Sequence, residues 1–377
     1  MDWMISYEDL DDDQKEFVDT KVFEPGNIWI KGYAGSGKSV LLIHALRTIR
    51  RREPNATMAI VVYTHSLVDL FRSGLTHLQI TNIPVMTYHS FRRSNQDYDY
   101  IFCDEVQDVP EDVLTEMKNR SRHLHVAGDA NQSIYNNRVD STQIVKIIGA
   151  QPFELKKIYR LTKSIIKAVQ SLLPNMDIFS AKVDVTKQDV NLKVKKEITE
   201  TTEVEYIWKN ALESANRGYS TVVLCSTRKS ILKFANTVLE ISNKSIWQEQ
   251  KDQYDKPHFG LLNRHLSAAD IKLEYVGNGY GSLVSAADNN KVILMTYHSS
   301  KGLDFESVFV PYLSSNNYIS RNSPATLLMV AITRSRMNLT VSYCDYPHPL
   351  LNRFIGDAHI IQEDNNKNIE PNDDFDV

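Results

Sequence analysis

NIWIKGYAGSGKS, residues 27–39, sets an apolar run against a glycine-rich turn that ends in Lys38 and Ser39. The apolar pattern VLLIHALRTIR follows at helical spacing. The turn matches G-x-x-x-x-G-K-[ST] in the strand–loop–helix setting that this motif requires. Gly32, Gly35 and Gly37 let backbone N–H groups curl around phosphate oxygens, helped by the N-terminus of the helix. Lys38 then neutralises the β- and γ-phosphates, and Ser39 holds Mg²⁺. The bland alternative is a glycine-rich turn without a ligand, and the strand before and helix after weigh against it.

A second acidic strand end strengthens this reading. YIFCDEVQD, residues 100–108, is an apolar run closing on paired acids. Asp104 is placed to bind Mg²⁺ and Glu105 to orient and deprotonate an attacking water. Other short apolar runs recur along the chain: MAIVVYT, IPVMTY and LHVAGD before residue 130, then STVVLCS, KVILMTY, SVFVPYL and LTVSYC after 220. Continuous Val/Ile/Leu runs alternating with helical patterns predict an α/β fold with parallel sheets covered by helices. We expect a first lobe over 1–155, a second over 156–355, and an acidic, disordered tail over 356–377. A mostly helical bridge is expected between the two strand-rich halves.

Composition bounds the classes. The chain has 377 residues, 42% hydrophobic and 24% charged, in the range of a soluble globular protein. Its formal net charge of -4 gives no global basic signature, so nucleic acid would have to meet a local patch. Cys103, Cys225 and Cys344 lie far apart in apolar runs, which predicts buried reduced thiols in a cytoplasmic protein rather than a zinc site. The acidic start lacks the features of a signal peptide, and no apolar stretch is long enough to span a bilayer. We therefore expect no membrane partner.

The motif order is narrower than a phosphate loop alone. LDDDQKEFV (10–18), VVYTHS (61–66), TYHSF (87–91), DEVQD (104–108), AGDANQSIY (127–135), IYRLTKS (158–164), MTYHSSKGLDF (295–305) and VAITRSR (330–336) follow one another. In this order they resemble the superfamily 1 helicases of the UvrD/Rep/PcrA type, over about residues 10–345. The resemblance implies two RecA-like lobes with ATP and Mg²⁺ in the cleft between them. By resemblance, Gln14 reads adenine, Tyr159 stacks on it, and Gln132 senses the γ-phosphate. Arg160 and Arg334 resemble the arginines that reach that phosphate from the second lobe. Gly302 and Asp304, in SKGLDF, fall at nucleotide-contacting positions, with Asp304 where the family usually has a glutamate on the ribose. An arginine supplied across a cleft is worth about 10³–10⁵ in rate.

The same resemblance places single-stranded DNA contacts at Tyr63 and Thr64, at Thr87 and His89, and at Thr296 and His298. Hydroxyls can hold phosphate while aromatics stack on bases. Taken alone, such threonines are ordinary strand-end caps and such histidines ordinary packed residues. The basic RTIRRR (47–52) reads as the end of the helix after the phosphate loop, facing solvent. These residues do not separate DNA from RNA.

Two departures stand out. After QSIY the family carries an Arg-Trp-Arg-Gly type sequence, whereas this chain has Asn136, Asn137, Arg138 and Val139. One stacking platform of about 1–3 kcal/mol is thereby lost. About twenty residues separate VVYTHS from TYHSF, too few for the family's accessory domain. The expectation is a nucleic-acid-dependent ATPase of 3′-to-5′ polarity by resemblance, acting with a protein partner such as a nuclease. The alternative is an ATP-controlled regulatory or scaffold subunit that does not unwind by itself.

Overall fold

The computed structural model describes residues 3–129, 140–174, 176, 182–183, 188–356 and 361–364. The first sheet contains β1 (Ile28–Gly32), β2 (Met58–Val62), β3 (Val85–Thr87), β4 (Tyr98–Cys103), β5 (Ser121–Gly128) and β6 (Gln151–Leu155). Their order is β3-β2-β4-β5-β1-β6, and every ladder is parallel. A two-residue pair, β7 (Lys157–Ile158) with β8 (Lys182–Val183), follows. The second sheet contains β9 (Asn191–Glu197), β10 (Thr221–Cys225), β11 (Leu273–Tyr275), β12 (Val292–Thr296), β13 (Phe305–Val310), β14 (Ser335–Cys344) and β15 (Ile361–Asp364). It runs β11-β12-β10-β13-β14-β9-β15, again parallel. Each sheet has helices on its faces: this is the RecA-like, two-lobed α/β architecture that the sequence predicts.

The apolar runs explain the central strands. All residues of β2, β10 and β12 are buried, as they must be when helices cover both faces. One apolar cluster passes from Ile30 and Ile60 in the first sheet to Leu224 and Met295 in the second, so the lobes share a packed contact. Separate clusters fill the outer faces around Val61 and Leu124 in the first lobe and around Phe234 and Leu294 in the second.

The bridge expected to be mostly helical holds helices over Ser141–Ile148, Lys163–Leu172 and Glu200–Asn216, and between them also β6, β7, β8 and β9. QPFEL and NLKVKKE mix polar with apolar residues, because β6 lies at the edge of its sheet and β9 exposes part of one face. Within the tail expected to be disordered, Ile361–Asp364 forms a strand in register with Lys193–Lys196 of β9. That pairing satisfies backbone groups that β9 would otherwise present at an open edge.

Four helices position the site: α1 (Asp12–Asp19), α2 (Lys38–Arg52), α3 (His65–His77) and α4 (Tyr88–Ser94). The 13-residue α3 is the one helix in the connection from β2 to β3, where the resemblance implies an accessory domain. At the end of α2, Arg50 caps the carbonyls of Pro54 and Ala56, and Arg52 lies 4.1 Å over the Phe23 ring. The three cysteines are buried and free. Among the described residues no helix is long and apolar enough to cross a membrane.

Candidate nucleotide and nucleic-acid site

The turn after β1 is shaped by what crowds it. Gly35 has φ +74°, and a Cβ there would lie 2.3 Å from Cβ of Arg160. Gly37 has φ +88°, and a Cβ there would lie 2.7 Å from Nε2 of Gln14. Both positions combine left-handed backbone with a close neighbour, so only glycine fits. Gln14 is anchored from two sides: its Nε2 donates to the Ser36 carbonyl at 3.3 Å, and its Oε1 accepts the Asp11 N–H that starts α1. The Tyr159 N–H donates to the Gly35 carbonyl at 2.9 Å and its hydroxyl donates to Asp11. The two base-site candidates thus bracket the turn.

Lys38 donates from Nζ to the carbonyls of Gly32 and Tyr33, each at 2.8 Å. Burial pushes its pKa down, while Glu105, Asp129 and Asp104 pull the other way. Ser39 Oγ donates to Asp104 Oδ2 at 2.5 Å. Burial and the charge of Glu105 push the Asp104 carboxyl up to about 6. This oxygen pair beside the turn fits Mg²⁺, a hard cation commonly held by one or two carboxylates together with substrate phosphates. Among the described residues no group of three or more His, Cys, Asp or Glu could hold a metal by itself.

Glu105 sits at φ +54°, a strained left-handed position for a non-glycine residue. Burial acts to raise its pKa, but Lys301, Lys38, the hydrogen bond from Gln107 and Arg334 together hold it below the usual range. Lys301 comes from the second lobe: its Nζ lies 2.5 Å from Asp108 Oδ2 and 3.7 Å from Glu105 Oε2. Gln107 Nε2 donates to Glu105 Oε2 at 2.5 Å, and its Oε1 accepts the Asp129 N–H at 3.1 Å.

Both expected arginines line the same cavity as Lys38 and Glu105, which has a volume of about 380 Å³. Arg334 is 1% exposed, and burial lowers its pKa to about 9. Its nitrogens donate to Val330 O, Leu303 O and Thr333 Oγ1, all in the second lobe. Arg160 lies between the lobes rather than within the second sheet. Its backbone abuts Gly35, while its NH1 is 3.4 Å from Leu303 O and 3.6 Å from Asp304 Oδ2. Asp304 therefore meets Arg160 and also Arg336, at 3.8 Å. Gly302 brings the second lobe against α3, since a Cβ there would lie 2.6 Å from Leu67 Cδ2. Gln132, like Asn136 and Asn137, lies outside the described residues.

The proposed nucleic-acid residues gather in a second, inter-lobe groove of about 470 Å³. Tyr63, Thr64 and His89 line its first-lobe wall, and Thr296 and His298 its second-lobe wall. Thr87 lines the neighbouring cavity instead. Tyr63 stacks on Tyr88 at 5.3 Å, and Tyr88 lies 3.9 Å from the His89 ring. Thr64, Thr87 and Thr296 accept the N–H groups of Leu67, Ser90 and Ser299, so each hydroxyl also serves as a local cap. Thr227, Arg228 and Asn278 join the wall of this groove without having been singled out.

The sequence reading also passed over Lys301, Gln107 and Asp108. All three stand inside the quoted words SKGLDF and DEVQD, so the signal was present. Their role depends on contacts between the lobes that no spacing rule reports.

Two parallel P-loop-type lobes, with a phosphate-loop lysine, paired acids and two arginines on one cavity, define a two-lobed nucleoside-triphosphate-binding protein. Residues 28–254 match the family of the viral superfamily 1 RNA helicase core domain, and residues 273–346 match the UvrD-like helicase C-terminal domain. The chain belongs to the superfamily 1 helicases. A protein of Acanthamoeba polyphaga mimivirus named as an ATP-dependent DNA helicase is 27% identical over 259 residues, 66% of this chain and 34% of its own length. One of Mycoplasma capricolum named as a DNA helicase II homolog is 24% identical over 228 residues, 56% of this chain and 30% of its own. The chain thus spans about a third of the length of these relatives. The solved Arterivirus helicase, nonstructural protein 10 with DNA, has a TM-score of 0.46 and 13% identity, covering 87% of this chain and 63% of that one.

Proposed function

We propose that this chain is a nucleic-acid-dependent ATPase whose lobes, residues 1–155 and 156–355, close around ATP and move on or remodel single-stranded DNA. The observation that carries the proposal is one cavity lined by Lys38, Ser39 and Glu105 from one lobe and by Asp304 and Arg334 from the other, with Arg160 between them. Phosphoryl transfer needs positioning and charge stabilisation more than covalent chemistry, and this set supplies both. Lys38 exchanges the Gly32 and Tyr33 carbonyls for phosphate oxygens. Glu105, kept ionised by Lys301, accepts a proton from the attacking water. Arg160 and Arg334 stabilise charge on the γ-phosphate, which for Arg334 means giving up contacts within its own lobe. Mg²⁺, when held at Ser39 and Asp104, would neutralise phosphate charge. Gln14 and Tyr159 hold the base, Gly302 and Asp304 flank the sugar side, and Gln132 senses the γ-phosphate.

For the nucleic acid we assign Tyr63, Thr64, Thr87, His89, Thr296 and His298. DNA is favoured by the names of the two relatives, 3′-to-5′ polarity by the family resemblance. A second reading, an ATP-controlled subunit of an effector complex such as one with a nuclease, is favoured by α3 standing alone where relatives have an insertion. The test is ATPase measurement of the purified chain without nucleic acid, with single strands of DNA or RNA, and with duplex. Stimulation by single strands supports the first reading. Turnover indifferent to every nucleic acid overturns it.

A further inference from the structure

The nucleotide cavity has a wall that neither the phosphate motifs nor the arginines account for. Beyond Gln14 and Tyr159 it is closed by Trp3, Ile5 and Asp9 from the segment before α1, together with Val40 and Leu70. This segment is tied down at several points. Trp3 Nε1 donates to Ser73 Oγ at 3.0 Å, and its ring meets Phe71 edge-on at 6.1 Å. The indole occupies the space left by Gly74 on α3, where a Cβ would come within 2.5 Å of Trp3 Cζ2. His44 of α2 pairs with the Ile5 carbonyl at 3.0 Å, and Met4 is buried. A strap anchored to both α2 and α3 nevertheless leaves the Ile5 side chain 38% exposed at the cavity.

We propose that the strap Trp3–Asp9 is the outer wall of the base-binding end of the site, making affinity depend on the nucleoside and not only on the triphosphate. This rests on the reading of the cavity as an ATP site and adds the surface that covers the base. Lys38, Ser39 and the glycine turn meet phosphates, groups every nucleotide shares. Gln14 already uses Nε2 on Ser36 and accepts from Asp11, so much of its hydrogen-bonding capacity is spent within the protein. An apolar surface at Ile5, Val40 and Leu70 is what a flat heteroaromatic ring can be buried against.

The experiment compares ATP with inorganic tripolyphosphate, which has the phosphates and no base, as ligands of the full chain and of two strap variants. Ile5→Asp puts a charge on the wall at a partly exposed position. Gly74→Ala favours α3 intrinsically, but its methyl displaces the Trp3 ring. Each variant is expected to weaken ATP binding about tenfold, equal to about 1.4 kcal/mol, with tripolyphosphate affinity unchanged and the thermal midpoint retained. Parallel loss of both ligands, or unchanged binding of both, overturns the strap's role and leaves the phosphate site standing. Failure of the unaltered chain to bind either ligand overturns the ATP-site reading, and the strap's role with it.

Discussion

Replacing Lys301 by methionine should move the pH dependence of ATP turnover rather than merely lower it. Lys301 is nearly enclosed, with its ammonium 3.7 Å from Glu105 and 2.5 Å from Asp108, across the lobe boundary. A unit charge at that separation is worth about 4 kcal/mol at an effective dielectric of about 20. At about 1.36 kcal/mol per pKa unit, this sets an upper limit near three units for the effect on Glu105. Lys38 and Arg334 remain, and both also lower the Glu105 pKa. Burial then acts with less opposition, and the carboxyl pKa rises. We expect the acid limb of the rate profile to shift upward by about one to three units, so that turnover is lost at a higher pH on the acid side and recovers as pH rises. Lys301→Arg keeps the charge and should restore the limb. The assay is steady-state hydrolysis at saturating ATP from acid to alkaline pH, each variant normalised to its own maximum. Breaking a buried pair also costs about 3–5 kcal/mol of stability, so thermal melts run alongside. A uniform loss of rate with an unmoved acid limb refutes the role given to Lys301.

Glu105→Gln should bind ATP normally but turn it over about 10²–10⁴-fold more slowly; near-normal hydrolysis would remove Glu105 as the base. Arg334→Ala should lose about 10³-fold or more in turnover with a modest change in ATP affinity, measured by nucleotide titration beside single-turnover hydrolysis. His125 is 1% exposed between Tyr100 and Phe102, and burial holds its pKa down at about 3. The unfolded chain binds a proton near pH 6.5 and the folded chain does not, so this residue removes stability as pH falls below 6.5. The loss reaches about 2 kcal/mol at pH 5. His125→Leu should flatten the dependence of denaturant midpoint on pH over that window, and identical pH slopes would sink the assignment.

The parts legible in the sequence were those whose chemistry is local. The turn at Gly32–Ser39 announces itself because the glycines, lysine and helix start must be adjacent in the chain. The central strands announce themselves because burial on both faces forces unbroken apolar runs. β6 and β9 were hidden because polar residues break their apolar runs: β6 is mostly exposed, and β9 carries Lys193 and Lys196 at half-buried positions. Lys301 stood in a quoted word yet gained a role only when the fold brought it to Asp108. Arg160 was expected in the second lobe, and its place between lobes became visible only through its approach to Gly35. Trp3 and Ile5 belong to no motif, since the cavity they close depends on α3 packing beside α2.

That packing bears on how the two sites are connected. α3 begins at His65, and its first residues His65 and Ser66 line the groove assigned to nucleic acid. The next residue, Leu67, meets Gly302 of the second lobe, and about one turn on Leu70 lines the nucleotide cavity. Further along, Ser73 and Gly74 hold Trp3 of the strap. A helix of 13 residues thus touches the groove, the opposite lobe and the strap side of the nucleotide cavity. An axial rise of about 1.5 Å per residue puts these contacts within about 20 Å of one another. If such a helix moves as one body, a strand bound at Thr64–Ser66 should displace Leu67 and Leu70 together. Coupling by this route must be reciprocal in binding free energy: if single strands tighten ATP, ATP tightens single strands by the same factor. Gly74→Ala, which loosens the strap without touching the groove, should then weaken ATP binding while leaving strand affinity in the absence of nucleotide unchanged. Loss of strand affinity in nucleotide-free protein would show instead that the substitution distorts α3 as a whole.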